Sequence, residues 1–244
     1  MAAGKLSIVA SPIGNLADIT HRALDTLRTA DIIACEDTRH SRRLLDHYGI
    51  NSAKLLSLHA HNEAARSASL VAEIASGKKV AYLSDAGTPT ISDPGARLVA
   101  ACLRSSTPYE IIPGASAVVT ALAGSGLISG PFYFGGFLPN KSGGRENTLR
   151  AALDRPEPSA FYESPHRIVR SLAVLADLDP GRLVCVAREL TKRHEEFSRG
   201  SAATLHTHYR DHPPKGEITL VVSGTDLAKF LRADVTSPDG QDPG

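Results

Sequence analysis

The chain has 244 residues, which is long enough for one large domain or two smaller ones with real hydrophobic cores. Its hydrophobic content of 42% and charged content of 22% are typical of a soluble globular protein, and no apolar run is long enough to cross a bilayer. The net charge of +1 neither supports nor excludes a nucleic-acid substrate. The three cysteines form no CxxC pair, and the N-terminus leads straight into a strand-like segment. We therefore expect reduced thiols, no signal peptide and a cytoplasmic location.

The first half of the chain alternates short apolar runs with segments of helical periodicity. Strands are predicted at 6–10, 32–35, 55–58, 80–83 and 109–112, and helices at 20–30, 41–48, 62–76 and 94–105. Asn62 and Asp93 are the predicted N-caps of the last two helices, with Pro94 at the first helical position. Strands separated by helices indicate βαβ units and a largely parallel sheet.

A second series of elements follows Pro113 and Gly114. It comprises a helix at 116–122 and strands at 132–134, 160–162, 183–187 and 218–222, with a long charged loop between residues 188 and 212. We therefore predict a first domain at 1–114 and a second at 115–224. Residues 225–244 lose the pattern and are predicted to form a disordered tail.

The ligand crevice of an open parallel sheet lies beyond the carboxyl ends of its strands, so the loops there are the candidate sites. "SPIGN" (11–15) is either a tight turn or a backbone approach to a ligand. "CEDTRHSRR" (35–43) is either a substrate site or a self-paired charge cluster behind an N-cap at Ser41. "HAHN" (59–62) lacks a third metal ligand, so no metal is predicted. In "SDAGTPTISDPG" (84–95), Asp85 directly follows a strand and could accept hydrogen bonds from a ligand.

Two nucleotide-binding motifs can be set aside. "SDAGTP" lacks the Gly-Lys-Ser/Thr ending of a P-loop. "GSGLISG" (124–130) follows a helix rather than a strand, and its third glycine is one position late for a dinucleotide fingerprint, so it is interpreted as a helix end and an interdomain turn. The charged loops of the second half contain "LPNKSGGRE", "FYESPHR", "ARELTKRHEE" and "PPKGE", and we expect them to share one edge.

Eight motifs in register resemble the bacterial 16S rRNA (cytidine-2'-O)-methyltransferase family, in the tetrapyrrole-methylase superfamily. They are "SPIGNLADIT", "CEDTRHSRRLL", "SDAGTPTISDPG", "PGASAVVTAL", "GGFLP", "FYESPHR", "ARELTK" and "KGEITLV". The resemblance implies two α/β domains, the first with a parallel sheet and the second with a mixed sheet, and S-adenosylmethionine bound in the cleft between them. It also implies a homodimer with no membrane association.

The resemblance assigns site residues by position. The implied cofactor-binding residues are Pro12, Gly14, Asp85, Gly87, Thr88, Ile91, Ser116, Ala117, Tyr162, Leu190, Gly216 and Thr219. The candidates for catalysis are Glu36, Asp37 and Arg39. The candidates for substrate binding are Lys141, Arg145, Arg188, Glu189 and Lys192.

The implied reaction transfers a methyl group to the ribose 2'-OH of cytidine 1402 of 16S rRNA in the small ribosomal subunit. One alternative is a tetrapyrrole or other small-molecule methyltransferase, because a fold does not fix the substrate. The other is a non-catalytic protein that binds the cofactor or the ribosome.

Overall fold

Each half of the chain forms its own sheet. The computed structural model describes residues 4–51, 53–128 and 130–227, and it divides into two units, Met1–Ser116 and Ala117–Gly244. The division falls two residues beyond the predicted position. Of the predicted tail, residues 228–244 lie outside the described part of the chain.

Unit 1 is the predicted succession of βαβ steps. Its elements are β1 Lys5–Val9, α1 His21–Thr29, β2 Ile32–Cys35, α2 Thr38–His47, β3 Lys54–Ser57, α3 Glu63–Ala75, β4 Lys79–Leu83, α4 Ala96–Arg104 and β5 Tyr109–Ile112. The sheet order is β3-β2-β4-β1-β5 and every pairing is parallel, which confirms the predicted sheet. The carboxyl ends of all five strands therefore lie at one edge.

Helices cover both faces of this sheet, which is why its central strands are mostly apolar. One face packs against α1 and α2 through a core that includes Leu27, Ile33 and Leu45. The other packs against α3 and α4 through a core that includes Leu70 and Tyr82. Cys35 and Cys102 are buried in these two cores.

Helix α2 starts earlier than predicted, whereas α3 follows its predicted N-cap residue, Asn62. Helix α2 begins at Thr38 and not at Ser41, because the Asp37 carboxylate accepts hydrogen bonds from the Arg39 and His40 amides. Asn62 does precede α3, but its side chain makes no capping bond and accepts from the His59 amide instead.

The predicted cap at Asp93 is also wrong. Helix α4 begins at Ala96 after Gly95, whose φ of 117° is left-handed. The carboxylate of Glu63, from the start of α3, accepts hydrogen bonds of 2.8 Å from the amides of Gly95 and Arg97. A side chain remote in sequence therefore caps this helix, and Asp93 is left without that role.

Unit 2 contains the predicted mixed sheet. Its elements are α5 Ala117–Ser125, β6 Tyr133–Phe137, α6 Ser142–Leu153, β7 Ser159–Glu163, α7 Ile168–Leu178, β8 Leu183–Arg188, β9 Glu196–Ser201, α8 Ala202–Asp211 and β10 Ile218–Val222. The sheet order is β6-β7-β10-β8-β9. Strands β6 and β7 are parallel, and β10 runs antiparallel to both of its neighbours, β7 and β8. Helices α6, α7 and α8 pack on the core around Leu149, Phe161 and Leu172.

The long loop predicted between residues 188 and 212 is wrong, because it contains β9 and α8. Strand β9 pairs with β8 at the edge of the sheet, and its charged Glu196 is paired with Arg188 at 2.7 Å. Helix α8 begins with the Ser201 hydroxyl accepting from the Thr204 amide. Its buried positions, Ala202, Leu205 and Tyr209, follow helical spacing.

The "GSGLISG" stretch ends α5, as predicted, but it lies within unit 2 and is not an interdomain turn. Gly124 packs against the ring of Phe197 on β9: a Cβ at Gly124 would lie 2.3 Å from Phe197 Cε1. The Arg199 guanidinium of the same strand donates to the carbonyls of Gly124 and Ser125. Gly124 therefore serves helix–strand packing.

Candidate functional site

Three loops at the carboxyl edge of the unit 1 sheet are fastened to one another. The amides and carbonyls of Ser11 and Gly87 exchange hydrogen bonds of 3.0 and 3.1 Å, which joins the loops after β1 and β4. The Ser84 hydroxyl donates to the Gly87 carbonyl at 2.6 Å. The Thr88 hydroxyl donates to the Ala115 carbonyl at 3.1 Å, which joins the loop after β5. These hydrogen bonds link the loops after β1, β4 and β5 at this edge.

Gly87 is required by this arrangement. Its φ is +75°, and a Cβ there would lie 3.2 Å from Ile13 Cγ2 and 3.5 Å from the Ala115 carbonyl oxygen. Around it, the other predicted cofactor positions differ in exposure. Pro12 is buried and Gly14 is exposed, while the Ile91 side chain is 54% exposed, which is unusual for a large apolar residue.

Asp85 joins the loops after β2 and β4. Its carboxylate accepts a hydrogen bond of 3.2 Å from the amide of Asp37, which is the residue that caps α2. The side chain is half-buried. Because a carboxylate has about four acceptor positions, Asp85 keeps the capacity to accept from an amine or a hydroxyl of a ligand.

The three predicted catalytic residues have different environments in the structure. The Asp37 carboxylate is bound by backbone amides, first of all that of Arg39, and these bonds lower its pKa. The Arg39 side chain is 91% exposed and lies 3.7 Å from Asp37. Glu36 has a different environment: burial, followed by the negative charge of Asp85, raises the pKa of its carboxyl. Of the three, Glu36 is therefore the one whose environment suits a proton acceptor.

Asp93 is a site candidate that the sequence analysis missed. Burial raises the pKa of this carboxyl to about 6, and the charges of Glu36 and Asp85 contribute in the same direction. The three carboxyls lie close enough to influence one another, and we call them the carboxylate cluster. A signal was present in the sequence, since Asp93 and Asp85 belong to the same loop at the carboxyl edge.

Two buried polar atoms accompany the carboxylate cluster. The Tyr82 hydroxyl has no hydrogen-bond partner among the described residues, and burial together with Glu36 and Asp93 raises its pKa. His59 Nδ1 is likewise without a partner in the described part of the chain, although the charge of His59 acts on Glu36. No group of three His, Cys, Asp or Glu residues that could hold a metal occurs among the residues described.

The polar loops of unit 2 also share one edge of their sheet, as predicted. Strands β6, β7 and β8 run in one direction, and β10 starts where they end, because Ile218 pairs with both Glu163 and Arg188. The predicted cofactor residues Tyr162 and Thr219 face each other across the β7–β10 pair. The centroid of the Tyr162 ring lies 5.0 Å from that of the Phe134 ring and 5.3 Å from that of the Phe137 ring.

The backbone around Leu190 at this edge is strained. Leu190 is buried between Glu189 and Thr191, which have φ values of 51° and 63°. Such values cost free energy in residues other than glycine and are concentrated at functional sites. Gly216 packs against the same turn, since a Cβ there would lie 2.3 Å from the Glu189 carboxyl group. Gly216 is thereby placed against Glu189, the residue that precedes Leu190.

Three of the predicted substrate-binding residues are already engaged with protein groups. Glu189 accepts from Lys192 Nζ at 2.8 Å, and this bond together with the Glu217 amide lowers the pKa of Glu189. Arg188 binds Glu196 through Nε and Nη2 at 3.0 and 2.7 Å. Lys141, at the end of the loop between β6 and α6, is exposed. Arg145, in the first turn of α6, is buried.

The two predicted residues at the junction fall on either side of it. Ser116 ends unit 1, and Ala117 is the first residue of α5 in unit 2.

In the residues described, no helix is long and apolar enough to cross a membrane.

The fold and the two edges define a two-unit α/β protein whose polar loops gather at one edge of each sheet. Residues 5–206 match the family model of the Tetrapyrrole (Corrin/Porphyrin) Methylases. The Ribosomal RNA small subunit methyltransferase I of Synechocystis sp. is 45% identical over 91% of this chain and 79% of its own length. The protein of the same name from Escherichia coli O157:H7 is 46% identical over 91% of this chain and 78% of its own.

The chain therefore belongs to the tetrapyrrole methylase family, together with the small subunit methyltransferase I proteins. This confirms the predicted family, the predicted class of enzyme, a methyltransferase, and the predicted methyl donor, S-adenosylmethionine. Among solved structures, uroporphyrin-III-C-methyltransferase from Thermus thermophilus matches with a TM-score of 0.64 at 20% identity, over 94% of this chain and 98% of that one. At that identity the match establishes the fold.

Proposed function

We propose that the chain methylates ribosomal RNA of the small subunit, on the ribose 2'-OH of cytidine 1402 in 16S rRNA. The relatives named for small-subunit rRNA support the substrate, since they match this chain at 45% and 46% identity over 91% of its length. The observation in the structure that carries the chemistry is the carboxylate cluster at the fastened edge of unit 1. We place the enzyme in the cytoplasm, where it meets the small ribosomal subunit, and propose that it acts as a homodimer.

The residues at this edge fit the methyl donor. S-adenosylmethionine supplies an electrophilic methyl group on a sulfonium, which is a good leaving group. Its sulfonium and α-ammonium are positive, and the half-buried carboxylate of Asp85 suits a cationic or hydroxyl-bearing ligand. Gly87 and Thr88, held by Ser11 and Ala115, give that ligand a fixed wall of backbone. Pro12, Gly14, Ile91, Ser116 and Ala117 complete the proposed set on this side.

Unit 2 contributes the remaining donor contacts in this proposal. Tyr162 and Thr219 lie side by side on the sheet, Leu190 lies in the strained turn, and Gly216 packs against Glu189 of that turn. Alignment of the hydroxyl oxygen with the methyl carbon is a large part of methyl-transfer catalysis, and these residues serve that alignment in the proposal. The Arg188, Glu189 and Lys192 network keeps this turn in place beside the substrate.

The 2'-OH has to lose its proton as the new O–C bond forms. A carboxylate with a raised pKa is a stronger base than an ordinary one and is still ionised at neutral pH. Asp93, whose pKa is about 6, meets that requirement, and the pKa of Glu36 is raised in the same direction. In the proposal one of them accepts the hydroxyl proton, and burial, with a smaller contribution from the charge of Asp85, keeps their pKa values raised.

The test is transfer of labelled methyl groups from S-adenosylmethionine to purified 30S subunits that lack the modification. We expect label in 16S rRNA, and primer extension or mass spectrometry should place it at the 2'-O of cytidine 1402. A porphyrinoid is incubated in parallel. Label in the porphyrinoid alone would mean a tetrapyrrole methyltransferase, and cofactor binding with no label in either substrate would mean a non-catalytic protein.

A further inference from the structure

The N-terminal end of helix α6 offers backbone amides that no side chain among the described residues binds. The helix has 12 residues, and its N-cap residue, Lys141, makes no side-chain capping bond. In the described part of the chain, no side chain accepts from the amides of Ser142, Gly143 or Gly144, which are exposed. A Cβ at Gly143 would meet nothing within 4 Å, so there is open space in front of this turn. Free amides and the helix dipole favour an anion there.

Arg145, in the same turn, is a buried cation without a counter-ion. It is only 7% exposed, and its Nη1 donates to the Asn140 carbonyl at 3.4 Å, so the guanidinium turns back toward the loop that precedes the helix. Its Nε is buried without any hydrogen-bond partner among the described residues. An unpaired buried charge is costly, and the cost is recovered when an anion supplies the missing partner.

The nearby acidic groups are committed to other partners. Glu146 pairs with Arg150 at 3.0 Å. Glu163, fully buried, pairs with Arg167 at 2.5 Å and accepts from the Ser164 amide and the Ser171 hydroxyl. No described carboxylate pairs with Arg145.

Arg167 adds a second guanidinium to the same loop. It donates to the Asn140 side chain and to the Leu138 carbonyl, the latter at 3.3 Å. Two guanidiniums therefore contact Asn140, and Lys141, which is exposed, follows it in the sequence. Three cations and one buried carboxylate leave a positive surplus beside the free amides.

We propose that the amides of Ser142–Gly144 with Arg145, Lys141 and Arg167 bind a phosphate of the RNA substrate. This rests on the proposed function, and it gives the β6–α6 loop a task separate from holding the methyl donor: to fix the RNA backbone. Phosphate contacts set the register of a nucleic acid on a protein without reading its sequence. One oxyanion accepts from the helix amides and also supplies the partner that the buried guanidinium lacks.

Gly143→Asp separates binding from folding. An acidic side chain in the first turn favours the helix but repels a phosphate, so we expect an unchanged or higher Tm and RNA binding weakened roughly three- to tenfold at low salt. Gly143→Asn has the same shape without the charge and should bind like wild type. Gly130→Asp, which adds the same charge beyond the opposite end of β6 where a Cβ has open space, controls for net charge. The probe is a short single-stranded RNA oligonucleotide, and affinity for S-adenosylmethionine should be equal in all four proteins.

Arg145→Met provides a second variant. If Arg145 serves only the fold, the substitution lowers the Tm and leaves the RNA affinity of the folded fraction unchanged, which would count against the proposal. If it serves an anion, the methionine replaces an unpaired buried charge, so the Tm is maintained while RNA affinity falls.

Equal RNA affinity of the Gly143→Asp and Gly143→Asn proteins would overturn the phosphate site, and normal methylation of 30S subunits by both would leave the proposed function standing. Inorganic phosphate provides the remaining arm. Inorganic phosphate could perturb the amide resonances of Gly143 and Gly144 while the Gly143→Asp protein binds RNA as tightly as the wild type does. In that case the turn binds free phosphate, and the assignment to RNA is wrong. Failure of the wild type to methylate 30S subunits would refute the function, and the RNA-binding comparison would still decide the site.

Discussion

Ionisation of Asp93 lowers the free energy of unfolding of the protein. Its pKa of about 6 in the folded protein exceeds the ordinary value of 3.8, so the folded state holds this proton more tightly than the unfolded chain does. Below the ordinary value both states are protonated and the group contributes nothing. As pH rises from about 4 to about 6 the unfolded chain ionises first, and the free energy of unfolding falls.

Asp93→Asn should therefore stabilise the protein above pH 6 and have no effect below pH 4. The full linkage value for a shift of this size is about 3 kcal/mol, which solvent screening of a half-exposed group reduces to the order of 1 kcal/mol. Urea unfolding at a series of pH values measures it. Asp37→Asn is the control, because the pKa of that carboxyl is lowered, and it should give no gain. If Asp93→Asn loses stability at pH 7, the carboxylate is favourable and this interpretation is wrong.

At the scale of elements, the contact between α5 and β9 depends on the absence of a side chain. A Cβ at Gly124 would lie 2.3 Å from the Phe197 ring, so Gly124→Ala forces the ring or the strand to move. We expect a loss of about 1–3 kcal/mol in the free energy of unfolding. Gly143→Ala is the matched control in α6, since a Cβ there has open space, and it should be neutral or slightly stabilising. Equal free energies of unfolding for the two variants would show that the contact between Gly124 and Phe197 accommodates a methyl group without loss of stability.

The elements also mark the limit of prediction from the sequence. Apolar runs revealed the buried strands, because burial on both faces leaves few polar positions in them. Strand β9 was missed because it is an edge strand with charged positions: Glu196 pairs with Arg188 of the neighbouring strand, and Arg199 donates to the carbonyl of Ser125, 74 residues away. Helix α4 was started too early because its cap comes from Glu63, 32 residues away. Because Asp93 was predicted to be that cap, it was not predicted as a site residue. The loops after β1 and β4, in contrast, could be identified from their position in the sequence alone.

At the scale of the whole molecule, each unit has hydrophobic cores of its own among the described residues. Both cores of unit 1 lie within residues 6–112, and the core of unit 2 lies within residues 138–222. We expect residues 1–116 and 117–244, expressed separately, each to unfold cooperatively by circular dichroism. Neither should bind S-adenosylmethionine, because the proposed contacts are divided between them. Tight binding by residues 1–116 alone would contradict the proposed role of Tyr162, Leu190, Gly216 and Thr219.

The buried cysteines give each unit its own native reporter. Cys35 and Cys102 lie in unit 1 and Cys185 in unit 2, and burial raises the pKa of all three thiols. A thiol that is both protonated and enclosed does not react with an alkylating reagent until its surroundings open. The alkylation rate at each cysteine, read by mass spectrometry, therefore times the opening of its own unit. The wild-type enzyme can be followed in this way without any label being introduced.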